Sequence, residues 1–159
     1  MIEILRYLLV WGTIGAVLFS FFVIFMFRSG IVYSARNEDG LLKRKNPPGW
    51  LSASGGFLIL VVLFLVTANY FGLYQAGYQM NFWGLYALNL VLYLILLLFD
   101  TLAIDGFVIG YWRPTFLRLM VAMDAESMRE HIKKSIPVGT LFGLIISLLC
   151  TAISYYLFA

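Results

Sequence analysis

Four stretches of the chain are apolar almost without interruption, and polar residues collect in the short segments between them. The runs are Tyr7–Phe27, Leu51–Phe71, Phe82–Phe99 and Ile136–Phe158, each of about 18–23 residues. A helix rises 1.5 Å per residue, so each run is long enough to cross roughly 30 Å of hydrocarbon. None of them alternates polar with apolar positions, which is the mark of barrel strands. Lipid offers the backbone no outside partner, so such runs must satisfy their peptide groups internally, as helices. The pattern predicts an all-α protein: a polytopic four-transmembrane-helix bundle forming one domain over 1–159. Its spans are placed at about 7–27, 51–71, 82–102 and 136–158, with connecting segments 28–50 and 103–135.

The connections differ in character. Residues 37–49 hold turn formers and a basic triplet, and Pro47 and Pro48 bar a helix from entering the second span from the loop. Asp124–Ser135 reads as a short amphipathic helix. Asp124 and Glu126 sit at its start and Lys133 and Lys134 at its end, as the helix dipole favours. Glu130 and Lys134 form an i,i+4 pair. Pro137 then suits the first turn of the fourth span, with Ser135 as its cap.

Charge gives the orientation. Arg28, Arg36, Lys43, Arg44 and Lys45 lie in the first connection, and Arg113, Arg118, Arg129, Lys133 and Lys134 in the third. Only Arg6 lies at the other side. Ten basic residues against one predict cytoplasmic segments 28–50 and 103–135 and both termini outside. Aromatic residues around the 72–81 turn, and Trp50, Tyr111 and Trp112 at the opposite end, suit the two headgroup zones. The first run is too long for a signal-peptide core and lacks a basic flank before it, so it reads as a retained span.

Composition narrows the chemistry. Of 159 residues, 62% are hydrophobic and 12% charged, which excludes an ordinary soluble globule. The net charge of +3 sits beside spans, so no nucleic-acid partner is expected. One cysteine, Cys150, and one histidine, His131, leave no internal disulfide, no bis-histidine haem and too few ligands for a metal cluster. No cofactor is expected. His131 stands among charged residues without a neighbouring nucleophile and reads as solvent-facing.

Three groups of residues carry candidate function. Small residues recur every fourth position at Gly12, Ala16 and Ser20, and again at Gly139, Gly143, Ser147 and Thr151. Such stripes allow close helix packing, either within the bundle or against an integral membrane partner or a second copy in a homo-oligomer. Asp100 and Asp105 end the third span, where an ionised carboxylate is costly unless solvated or paired. On a straight α-helix they stand about 140° apart and do not share a face. With Arg113 they are candidates for a structural role, a partner contact, or a site for a proton, cation or lipid headgroup. Lys43, Arg44 and Lys45 lie where anionic membrane lipids attract basic residues. Asn89, mid-span, reads as a packing hydrogen bond. No lysine, arginine or carboxylate lies deep in a span, against an ion-coupled transporter with a midplane site.

The stretch Leu98-Phe-Asp100-Thr-Leu-Ala-Ile104-Asp105, followed by Trp112, Pro114 and Phe116, resembles uncharacterised bacterial four-span integral membrane proteins. In those proteins an Asp-x4-Asp ends the third span and a Pro-x-Phe follows. The likeness covers roughly residues 97–145, and departs from the pattern at Gly106 and in lacking Pro-Gly-Thr after Phe116. It implies a small cell inner-membrane protein and no particular activity. The expected function is non-enzymatic: an accessory or regulatory subunit, or a homo-oligomer, acting through helix packing. The alternative is transport of a small ion or lipid handling at the cytoplasmic mouth, using Asp100 and Asp105.

Overall fold

The structure, a computed structural model, describes residues 2–28, 33–36, 42–44, 47–112 and 125–158. Helices α1 (Ile2–Arg28), α2 (Pro47–Asn69), α3 (Phe82–Phe99) and α4 (Ala125–Phe158) run up and down. Each contains a stretch long and apolar enough to cross a membrane. The protein is therefore an all-α, multi-pass membrane bundle. α1 and α4 each pack against both α2 and α3, so the order around the bundle is α1, α2, α4, α3. Large apolar side chains on the outside, such as Phe21 (68% exposed), Leu63 (60%) and Ile145 (63%), match a hydrocarbon solvent rather than water.

Local chemistry explains the element boundaries. α2 begins at Pro47, where the missing N–H is one of the orphan donors of a first turn. Beyond Asn69 the helix widens into one i→i+5 turn, Tyr70–Tyr74. It then stops in a Schellman motif: Tyr78 N–H donates to Leu73 O and Gly77 N–H to Tyr74 O. Gly77 supplies the left-handed residue this motif needs, at φ 80°. α3 starts on Asn81, whose Oδ1 accepts the Gly84 N–H at 2.7 Å.

Three details depart from the sequence expectation. First, a two-stranded antiparallel ladder, β1 (Tyr33–Arg36) with β2 (Leu42–Arg44), occupies part of the first connection; its strands are too short to register in hydropathy. Second, the amphipathic stretch and the fourth span form one helix, with Pro137 inside it rather than in a first turn. Pro137 removes one backbone bond, a loss that membrane helices tolerate. Third, the helix of the third span does not end near 102. It continues as a 13-residue segment, Asp100–Trp112, bonded i→i+5.

The core is a column of interlocked side chains from all four helices. Leu65, Leu85, Leu92 and Cys150 are fully buried in it. Aromatic edges lock α1 to α2: Phe19 lies 5.4 Å from Phe57 and 5.9 Å from Phe64, and Trp11 lies 6.1 Å from Phe64, centroid to centroid.

Candidate functional site

The small-residue stripes are used inside the chain. A Cβ on Gly139 would come within 2.6 Å of Leu97 Cδ1, and one on Gly143 would strike the Tyr93 ring. Ser147 and Thr151 continue the row and are fully buried. This face of α4 is the seat of α3. On α1 the inward row is Tyr7, Gly12, Gly15 and Phe19. The close approach falls at Gly15, where a Cβ would meet Leu96 at 2.6 Å and Phe64 at 2.8 Å. Ala16 and Ser20 lie half-buried at its edge, and Ser20 Oγ donates to Ala16 O at 2.7 Å. The four-residue spacing singled out the right face but missed Gly15, which is three residues from Gly12.

Beside this packing runs a buried polar column that the sequence reading largely overlooked. The Tyr7 hydroxyl donates to Asn69 Oδ1 (3.1 Å), and Asn69 Nδ2 donates to Ser154 Oγ (2.9 Å), joining α1, α2 and α4. Asn89 Nδ2 donates to Thr151 Oγ1 (2.9 Å), which in turn donates to Ser147 O (2.7 Å). Asn69 lies at the edge of an aromatic cluster near the end of its span, where an asparagine looks interfacial. It is fully buried. Asn89 was correctly read as an interhelical bond. These groups are neutral and, apart from Asn89 Oδ1 and Ser147 Oγ, hydrogen-bonded, and their chemistry is that of interhelical fastening.

Asp100 lies at a different kind of feature. A cavity of about 230 Å³ opens between the helices at the end that carries the basic segments. Its walls are Phe19, Phe57 and Val61 on one side, Tyr93, Leu96 and Leu97 on another, and Val138, Gly139 and Phe142 on a third. Asp100 is the one charged residue among them. Val138 (67% exposed) and Phe142 (52%) place the mouth on the bundle's outer surface, where hydrocarbon lies. Gly139 lets Leu97 close against α4 at the wall of this space. The site is thus an apolar cleft with a carboxylate at its headgroup end.

The i→i+5 segment changes the relation between the two aspartates. In such a ladder each turn holds more residues than in an α-helix, so backbone positions five apart come round to nearly the same side. Positions 100 and 105 are five apart within that segment. The expected angular separation of about 140° rested on α-helical geometry and does not apply to this backbone. Among the described side chains of the segment, Thr101 and Ile104 are buried. The side chains of Asp105, Lys43 and Arg44, and the whole of Arg113 and Lys45, lie outside the described residues.

Comparison with family models, with curated proteins and with solved structures gives no match to this chain.

Proposed function

We propose that this protein is a non-enzymatic membrane protein that holds an amphiphile in the Asp100 cleft, with an apolar body between α2, α3 and α4 and a cationic head at the carboxylate. The observation that carries this reading is the lining: nine uncharged residues and a single acid at the mouth. An apolar wall with one convergent charged group is the ordinary composition of a ligand pocket. A carboxylate at a membrane interface favours a positively charged partner over a neutral one. In the proposed orientation the basic segments face the cytoplasm, so the ligand comes from the inner leaflet. This develops the lipid-handling alternative. The competing role, an accessory subunit or homo-oligomer, rested on the small-residue stripes, and those are occupied by packing within the chain. What still favours that role is α1, which buries a smaller share of its span than the other three helices.

The test is binding of a dialkyl ammonium probe to the reconstituted full chain, against an uncharged probe with the same tails. Asp100→Asn should weaken the ammonium probe about tenfold, the worth of one charge-assisted hydrogen bond, and leave the uncharged probe unchanged. Val138→Phe, which fills the mouth, should weaken both. Equal affinity of the two probes for the native chain would overturn the proposal. Co-purification of a stoichiometric protein subunit, with no enriched lipid, would shift the conclusion to the accessory role.

A further inference from the structure

At the other end of the bundle a larger cleft, about 770 Å³, lies between the first turns of α1 and the turn joining α2 to α3. Glu3 and Arg6 line it, three residues apart and hence neighbours on the helix. The chain from Tyr70 to Phe99 and from Ile136 to the C-terminus contains no charged residue. Among the described residues, Glu3 and Arg6 are the charged side chains at this end of the bundle. Tyr78 of the turn lines the same cleft as Glu3, and desolvation and the Glu3 carboxylate beside it raise the Tyr78 pKa, so α1 and the turn meet at the rim. Arg6 forms no ion pair among the described residues and is exposed. Gln79 adds an amide at the polar side, and Val10, Leu73 and Met80 continue the wall toward the hydrocarbon. The Trp11 indole completes it, with Nε1 against Gly72, where a Cβ would clash.

From this juxtaposition we infer that the cleft binds a phospholipid headgroup carrying both a phosphate and a primary ammonium, the phosphate on Arg6 and the ammonium on Glu3. Charge complementarity selects that occupant. A free anion would meet the Glu3 carboxylate, and a simple cation would meet the Arg6 guanidinium. A headgroup with both charges satisfies both, and its acyl chains follow the apolar wall into the bilayer. Arginine suits phosphate because its planar fork donates two parallel bonds. A primary ammonium has hydrogens to give the carboxylate, whereas a trimethylated one has none. This site is separate from the Asp100 cleft and does not depend on the ligand proposed there.

The experiment is lipid retention by native mass spectrometry of the full chain. The chain is reconstituted in bilayers with equal parts phosphatidylethanolamine, phosphatidylcholine and phosphatidylglycerol of identical chains. The native protein should retain phosphatidylethanolamine about tenfold over each of the others, one charge-assisted hydrogen bond's worth of selectivity. Glu3→Gln should bring phosphatidylethanolamine down to the phosphatidylcholine level. Arg6→Gln should lower retention of both, and Arg6→Lys should restore part of it. Equal retention of the three lipids by the native protein overturns the inference without recourse to any variant. So does native-like selectivity in Glu3→Gln, or undiminished retention in Arg6→Gln.

Discussion

Gly143→Ala tests whether the small-residue row of α4 is a packing seat within the chain. The added methyl would run into the Tyr93 ring, at its Cδ1 and Cε1 edge. Tyr93 is buried, and a ring held in a packed core moves only as a unit. Overpacking of this kind costs about 1–3 kcal/mol. The same substitution also gains up to about 1 kcal/mol of helix propensity, which would blur a single measurement. Gly55→Ala supplies the reference, because a Cβ there meets nothing within 4 Å. Both changes are Gly to Ala inside a helix, so the propensity gain cancels in their difference. Gly143→Ala should therefore be less stable than Gly55→Ala by about 1–3 kcal/mol. Gly139→Ala should fall between them, because its clash is with the end of the flexible Leu97 side chain. The assay is denaturant unfolding in mixed lipid–detergent micelles, with oligomeric state followed in parallel. If Gly143→Ala matched Gly55→Ala in stability while changing the oligomeric state, the row would be an intermolecular surface and the packing argument would fail.

Three further outcomes follow from the same structure. Asn69→Leu should cost about 1–3 kcal/mol, since it removes two interhelical bonds and strands the Tyr7 and Ser154 hydroxyls; a double-mutant cycle with Tyr7→Phe should give a coupling of about 0.6–1.7 kcal/mol, and additivity would refute the bond. For orientation, the wild-type Cys150 is fully buried and silent, so cysteines placed at Ala76 and Ser29 report cleanly. The Ala76→Cys chain should label in intact cells and the Ser29→Cys chain only after permeabilisation, and the reverse pattern would invert the topology. Tyr78 has its pKa raised above the ordinary 10.0 by desolvation and by Glu3. Below pH 10 the hydroxyl is protonated in both folded and unfolded chains and contributes no pH dependence. Above it the unfolded chain ionises first, so stability should fall with rising pH. Denaturant unfolding across pH should show a shallower slope in Tyr78→Phe, the other buried tyrosines keeping their share, and spectroscopic titration should show a tyrosine pKa drop in Glu3→Gln; an unchanged slope and titration would refute the coupling.

The four spans were legible because length and apolarity suffice to specify a lipid-solvated helix, and inward faces followed from spacing wherever small residues repeated. What hydropathy cannot carry is hydrogen-bond register. A switch from i→i+4 to i→i+5 bonding leaves composition untouched, so nothing in Asp100–Trp112 announced a wide helix. The angle inferred between Asp100 and Asp105 failed for that reason alone. Pro137 misled in the opposite direction: proline ends most soluble helices, but in lipid the alternative to a helix is unsatisfied backbone, and the helix runs through it. Asn69 was missed because a polar residue beside tyrosines at a span's end has two homes, the headgroup zone or the core, and sequence does not separate them.

The placement of charge is what survives both levels of description. Uncharged asparagine, serine and threonine are found inside the bundle, where Asn69 bonds Ser154 and Asn89 bonds Thr151 across helices. Glu3, Arg6 and Asp100 stand instead at the rims of two clefts, at opposite ends of the helices. A bundle built only to hold itself together has no need of apolar cavities capped by charge, since filling them with larger side chains would add packing contacts. At Gly139 a side chain as small as alanine would already collide with Leu97, so the Asp100 cleft is bounded by a helix–helix contact that cannot be relaxed by enlarging that residue. Space at the mouth, at Val138 and Phe142, is under no such constraint. That difference directs the cavity-filling test to Val138, where added volume removes the cleft without disturbing the seat of α3.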